Sequence, residues 1–444
     1  MRIMIERLAM LGRTAPATTP GYTPAPAQGF YTKVAYMLTG TVLGQAVSVL
    51  LAPVLTRIYL PDQFGYLSVY TATLAITGMM AAFGYDMAIP IARTSEEHAN
   101  LLSASAASLV SLTALLTLVA FLVPDQTLHL LWTGPTLTLR VLLPVGFACV
   151  GAYYIVVASA TRLQAFREIA STRLSQGVSG PLSQIILGVL GAGTPGLLIG
   201  FVIGQSSGTF LLFSRVLRTP GLLAGTTWRG IWRAAWRYRQ FPLFASWSKL
   251  LENAGTSPIL FLLFARFYSS EIAGFMFLSE RVIGRPLLMV STSLLQVFTG
   301  EAGLAVHREP EKLRLRFHQV IPRQFVLSAA WILLANLLAD WAFPVLFGDQ
   351  WVAAIPYLRA ASLGYLALAV LHPVSSALQI MERQVLSAVW QVARLVLVTG
   401  GVVAAWWFGE PAVTALWLSS LGQVIACLGM LALIALSIER IQRR

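Results

Sequence analysis

Charge is scarce in this chain of 444 residues. Only 11% are Asp, Glu, Lys or Arg, about half the share of an ordinary soluble domain. Acids are scarcer still, 18 against 31 bases, so any buried carboxylate has more cations than it can neutralise. There are two cysteines, Cys149 and Cys427, both inside apolar runs. That excludes a disulfide framework and leaves two small buried hydrophobes. Five histidines without ligand spacing give no metal site. No GxxxxGK[ST] phosphate loop occurs, which excludes ATP hydrolysis by this chain. No cofactor, metal or catalytic residue is expected. The chain reads as a transporter and not an enzyme.

What fills the space is apolar sequence: 57% of residues are hydrophobic. Runs long enough to cross about 30 Å of hydrocarbon recur from Val34 onward. They must be helices, because lipid offers open backbone groups no partner. Twelve spans are expected, at 34–55, 66–91, 98–123, 139–160, 174–190, 196–214, 242–266, 273–298, 323–346, 355–379, 385–408 and 412–437. The reading is an all-α polytopic membrane protein. It comprises a disordered cytoplasmic tail 1–29, an N-half 30–214, a linker 215–241, a C-half 242–438 and a cytoplasmic tail 439–444. With both termini cytoplasmic, 23 of the 31 bases fall on that side, as the positive-inside rule requires.

The net charge of +13 is therefore topological, and nucleic acid is not expected as a partner. The linker carries Trp228, Trp232 and Trp236 at four-residue spacing, interleaved with Arg229, Arg233, Arg237 and Arg239. On a helix this sets an aromatic stripe beside a basic one, suited to lipid headgroups. The longest outer loop, PDQTLHLLWTGPTLT, has one acid, Asp125. That speaks against a membrane-embedded glycosyltransferase or polymerase, which would need paired functional groups there.

Two stretches repeat. RIYLPDQFGY (57–66) and RFYSSEIAGF (266–275) both read Arg, apolar, Tyr, two residues, acid, two residues, Gly, aromatic. Arg57 ends the first span of one half and Arg266 the first span of the other. Two six-helix pseudo-repeats are a known transporter plan, with the substrate between them.

Charges inside the spans are costly and tend to be paired, hydrated or functional. Lys249, Glu252, Arg281, Arg285 and Arg394 all lie about 10–18 Å into their spans. At helical spacing Arg281 and Arg285 share a face, as do Lys249 and Glu252. Glu252 is the expected partner of one arginine and cannot balance them all. Either these groups form structural salt bridges or the cationic surplus holds an anion, for which arginine's bidentate fork suits a phosphate. Glu280 is expected on another side of the helix from Arg281, facing a neighbour or the cavity wall. Asp86 is an interfacial acid or a coupling acid. Arg57 and Arg266 fall near the outer mouth, where they serve the site weakly or simply mark topology.

Several segments resemble one family. LTRIYLPDQFGYLSVY (55–70) is similar to its turn after the first helix, FGYDMAIPIARTSEEHANLL (83–102) to its second-helix end, FPLFASWSKLLENAG (241–255) to its seventh helix and LSERVIGRPLLMVSTSLLQVF (278–298) to its eighth. The family is the O-antigen (Wzx-like) polysaccharide flippases of the multidrug/oligosaccharidyl-lipid/polysaccharide exporter superfamily. The resemblance implies a MATE-like fold of about twelve helices in two lobes, alternating access, and the bacterial inner membrane. It also implies an undecaprenyl-pyrophosphate-linked oligosaccharide as substrate, with membrane lipids and polysaccharide polymerase or export proteins as partners. Cavity bases in the family match Arg281 and Arg285, with Lys249 and Arg394 as further candidates; Glu252, Asp86 and Glu280 would balance or couple. One departure is Gly84, where many relatives carry a basic residue. A lipid II flippase and a drug/cation antiporter remain as alternatives, although a cationic-drug site should show more acids than bases.

Overall fold

The computed structural model describes residues 30–442 apart from 130, 131, 133, 220, 221, 223, 224, 248, 249, 251–256, 309 and 382. The N-terminal tail, the last two residues, Lys249 and Glu252 thus lie outside the described residues. Everything regular among those described is helical.

The first half contains α1 (Phe30–Leu50), α2 (Ala52–Ile58), α3 (Pro61–Thr77), α4 (Ser95–Leu122), α5 (Thr136–Arg162), α6 (Phe166–Val189) and α7 (Gly193–Leu217). Helix α8 (Trp228–Arg237) forms the linker. The second half contains α9 (Ser257–Phe267), α10 (Ser270–Ser279), α11 (Arg285–Arg308), α12 (Pro310–Ala342), α13 (Ile355–Leu371), α14 (Gln384–Trp407) and α15 (Ala412–Gln442). Each of the twelve expected spans overlaps at least one of these helices.

Eight described segments are individually long and apolar enough to cross a bilayer, and a ninth is a bent pair. The three spans that miss this test are the fifth, seventh and eighth. The fifth carries Arg173, the eighth carries Glu280, Arg281 and Arg285, and the seventh is interrupted by the undescribed stretch. Charge facing a protein interior lowers a span's apolarity without taking it out of the membrane.

The bent pair is the second span, α3 followed by Tyr85–Ile91, turned by 56°. Phe83 (φ 47°) and Gly84 (φ 71°) make the turn in left-handed backbone. A Cβ at Gly84 would sit 2.2 Å from Ser246 Oγ. Both the dihedral and the space therefore require glycine here, which accounts for the departure noted in the sequence.

Local signals set the helix starts. Thr94 accepts a hydrogen bond from Glu97 N at 3.1 Å, and Glu97 Oε2 accepts one from Arg93 N at 2.7 Å, closing the first turn of α4. Ser269 accepts from Ile272 N and starts α10. Thr227 accepts from Gly230 N and starts α8. That helix buries Gly230 and Ala234, pairs Arg237 with Glu97 at 3.3 Å, and leaves Trp228, Trp232 and Trp236 exposed.

The two repeat turns meet. A Cβ on Gly65 would lie 1.7 Å from the Ser270 carbonyl oxygen, and one on Gly274 would lie 1.9 Å from the Pro61 carbonyl oxygen. In the repeat register Pro61 corresponds to Ser270 and Gly65 to Gly274, so the contact is reciprocal. The paired tyrosines act alike too. Tyr59 donates to Gln184 O in α6 at 2.7 Å, and Tyr268 donates to Glu410 O just beyond α14 at 3.2 Å. Tyr59 thus ties its turn to the fifth span of its half, and Tyr268 ties its turn to the residues just after the fifth span of the other.

The halves are sealed at this end. Arg57 Nη2 donates to Val345 O at 2.7 Å, and buried Trp351 Nε1 donates to Thr56 O at 2.9 Å. Beneath lies an aromatic cluster. Phe64 meets Trp351 edge-on at 5.0 Å and Phe277 at 6.4 Å, and Phe261 meets Phe277 at 5.5 Å.

Candidate functional site

Behind the aromatic cluster the halves line two adjoining compartments. The one on the N-half side has a volume of about 420 Å³ and the one on the C-half side about 550 Å³. Both lie in the range of small-molecule sites. Thr71, Phe277 and Arg285 line both, so Arg285 stands at the waist.

Arg281 belongs to the N-half compartment. It is 7% exposed. Its guanidinium lies over the rings of Phe277 (4.9 Å) and Phe64 (5.5 Å). Ring faces stabilise a cation while leaving its N–H edges available. Its Nε and Nη1 are buried without a hydrogen-bond partner among the described residues.

Arg285 pairs with Glu280, Nε to Oε1 at 3.7 Å. On an α-helix these two residues would be about 140° apart. Glu280–Gly284 is instead a π turn, in which Arg285 N donates to Glu280 O. With i→i+5 bonding, the fifth residue returns close above the first. Pro286 follows immediately and could not have donated the α-type bond in any case. Glu280 accordingly faces the cavity wall beside Arg285, and a strictly α-helical reading of the sequence misses this pairing.

Arg394 lines the C-half compartment, is buried, and lies 5.4 Å from the Trp390 ring. His372 lines the same compartment and shares a hydrogen bond with Thr292 at 3.3 Å. Three expected candidates stand elsewhere. Asp86 lies in the bent segment after α3 and lines neither compartment. Arg57 and Arg266 are exposed at the sealed end, where Arg57 is spent on the Val345 carbonyl. Lys249 and Glu252 fall outside the described residues.

The sequence reading did not single out Arg173. The fifth span was expected to begin at 174, yet α6 begins at Phe166. Arg173 is therefore about 10 Å into the helix and lines the N-half compartment. Its Nη1 donates to Thr41 Oγ1 at 3.2 Å, while its Nε is buried without a partner among the described residues. Gln45, Gln176 and Gln205 line the same space with Tyr153 and Tyr154. The available signal was the polar content of α6, which also holds Ser175, Gln176, Ser179 and Gln184. Across both compartments the described lining has four arginines and one carboxylate.

A family model described as "Polysaccharide biosynthesis protein" matches residues 54–356. No curated protein matches the chain in sequence. Solved structures share the fold. The lipid II flippase MurJ, in an inward closed conformation, is 13% identical with a TM-score of 0.67, over 93% of this chain and 90% of that one. An inward-facing multidrug resistance MATE family transporter of the MOP superfamily is 16% identical with a TM-score of 0.63, over 93% and 96%. A MOP superfamily transporter from Pyrococcus furiosus, described as having a binding pocket of reverse polarity, is 16% identical with a TM-score of 0.51, over 93% and 96%.

Proposed function

This multi-pass membrane chain belongs to the polysaccharide biosynthesis protein family, and on that footing we propose that it is a lipid-linked oligosaccharide flippase. Its cargo is a polyprenyl-pyrophosphate-linked repeat unit, moved from the cytoplasmic to the outer leaflet of the bacterial inner membrane. The product feeds O-antigen, capsule or exopolysaccharide assembly. The observation that carries this reading is the cationic surplus between the halves, four arginines against Glu280 among the described lining residues. An anion bound there gains charge-assisted hydrogen bonds. A cationic drug would meet repulsion instead.

Arg281, Arg285 and Arg394, with Lys249 as a further candidate, hold the pyrophosphate. Glu280 occupies Arg285 when the cavity is empty, and Glu252 is proposed for a similar balancing role. The saccharide passes through the cavity while the polyprenyl chain stays in lipid. Transport alternates between the sealed state seen here and one in which the Gly65–Gly274 contact has opened. Both termini are placed in the cytoplasm, so the sealed end faces outward.

The test is transport in vesicles containing the purified protein, with three cargoes: a labelled polyprenyl-pyrophosphate oligosaccharide, lipid II and a cationic dye. The reading expects the first to cross fastest and the dye not at all. Dye efflux without movement of either glycolipid would overturn it in favour of an antiporter.

A further inference from the structure

The two compartments differ in what they offer, and this inference rests on the flippase reading above. The C-half compartment combines Arg285 and Arg394 with aliphatic walls that include Leu287, Leu288 and Leu368. The N-half compartment is walled by amides and hydroxyls. Gln45, Gln176 and Gln205 present donors and acceptors, and Tyr153 presents a ring and a hydroxyl. This is the chemistry that reads a saccharide: amides exchange hydrogen bonds with sugar hydroxyls, and aromatic faces cover the apolar face of the ring.

Charge carries the argument further. Arg281, Arg285 and Arg394 less Glu280 leave two positive charges, which the pyrophosphate linkage matches. Arg173 remains over. It enters from α6, in the opposite half from the arginines at the waist, and no carboxylate stands among the described residues lining its compartment. Three sets of buried polar atoms on the walls of the N-half compartment lack a hydrogen-bond partner among the described residues: Arg173 Nε, Arg281 Nε and Nη1, and Gln45 Oε1. Leaving a buried cation edge unsatisfied is costly, and a neutral sugar hydroxyl compensates it less well than an ionised oxygen does.

We propose that the N-half compartment is the saccharide subsite and that Arg173 selects a repeat unit bearing a carboxylate, a uronic-acid-type sugar, near the pyrophosphate. Arg173 pairs with that carboxylate, Gln45, Gln176 and Gln205 engage the ring hydroxyls, and Arg281 bridges from saccharide to pyrophosphate. Thr41 orients Arg173 through its existing hydrogen bond. The specificity of the carrier is thus written mainly in the N-half, and the grip on the lipid linkage mainly in the C-half.

The test uses two labelled polyprenyl-pyrophosphate oligosaccharides that differ only in whether the sugar nearest the linkage is a uronic acid or the corresponding neutral hexose. Initial transport rates are measured per inserted molecule, below saturation, for the unmodified chain, Arg173→Gln and Arg173→Lys. The proposal expects the unmodified chain to favour the acidic cargo by about tenfold or more, the worth of one charge-assisted hydrogen bond. Arg173→Gln should bring that ratio close to unity, and Arg173→Lys should keep an intermediate ratio because a point charge remains. Equal rates for both cargoes in the unmodified chain overturn the proposal and leave the flippase reading standing. A loss in Arg173→Gln that is equal for both cargoes also overturns it, since Arg173 would then only brace α1 against α6. Movement of neither glycolipid by the unmodified chain overturns both readings.

Discussion

Arg285 stands at the waist of the cavity with Glu280 3.7 Å away, and the pairing has a testable energetic consequence. Both side chains are largely shielded, so removing the cation strands a carboxylate in a poorly solvated place. Arg285→Ala should lower stability by about 1–3 kcal/mol, and Glu280→Gln in the same chain should recover most of that. Thermal unfolding in detergent of the two single variants and the double reads the coupling. A double variant no more stable than Arg285→Ala would show that the pair contributes nothing to the empty carrier. Three of the cavity's arginines, Arg281, Arg285 and Arg394, were legible from sequence because a charge inside an apolar run is conspicuous. The pairing of Arg285 with Glu280 was not, since it depends on a π turn that no residue spacing announces. Arg173 was hidden for the opposite reason. Enough polar residues precede it that the run looked like a loop end, while tertiary packing against α1 and α7 carries the helix two turns further.

At the scale of elements, the repeat read from sequence is the seam itself. Tyr and Gly recur at 59 and 65 and at 268 and 274 because each does the same work in each half. The tyrosines tie the turns to the fifth span or to the residues just after it, and the glycines let α3 and α10 touch backbone to backbone. Gly65→Ala or Gly274→Ala forces those backbones apart, because carbonyl oxygens cannot yield as flexible side chains do. Each should destabilise the sealed state by about 1–3 kcal/mol, the usual cost of overpacking. A disulfide-forming pair of cysteines placed across the seam should then cross-link more slowly than in the unmodified background. Unchanged cross-linking would mean the seam tolerates the extra atoms. The linker helix invites a second check. With its three tryptophans exposed on one side, lipids brominated near the headgroup should quench them more than lipids brominated deep in the chain. The reverse order would remove α8 from the interface. The stripe of Trp and Arg was legible at once from its four-residue period. The break at Phe83 and Gly84 was not, because the left-handed turn is set by packing against Ser246, far away in the chain.

The whole molecule is two halves closed on one another at the repeat turns, with a cation-lined cavity behind the closure. The apolar runs made the helical architecture readable; the division of the cavity into two compartments was not, since it arises from where Arg285 and Phe277 sit between the lobes. The topology predicts that cysteines placed in the linker between 225 and 240 resist an impermeant reagent applied outside intact cells, with Cys149 and Cys427 replaced beforehand. Labelling there from outside would reverse the orientation. On the proposed function the arginines between the halves hold an anionic cargo during its passage. That role is tested most directly by measuring transport of a labelled polyprenyl-pyrophosphate oligosaccharide, per inserted molecule, in vesicles carrying the double variant Arg281→Ala/Arg285→Ala. A loss of at least about a hundredfold is expected, the worth of two charge-assisted hydrogen bonds, with Arg→Lys at both positions falling between because the bidentate fork is lost while the charge stays. Transport by the double alanine variant at the unmodified rate would contradict it and leave the arginines as structural salt-bridge partners.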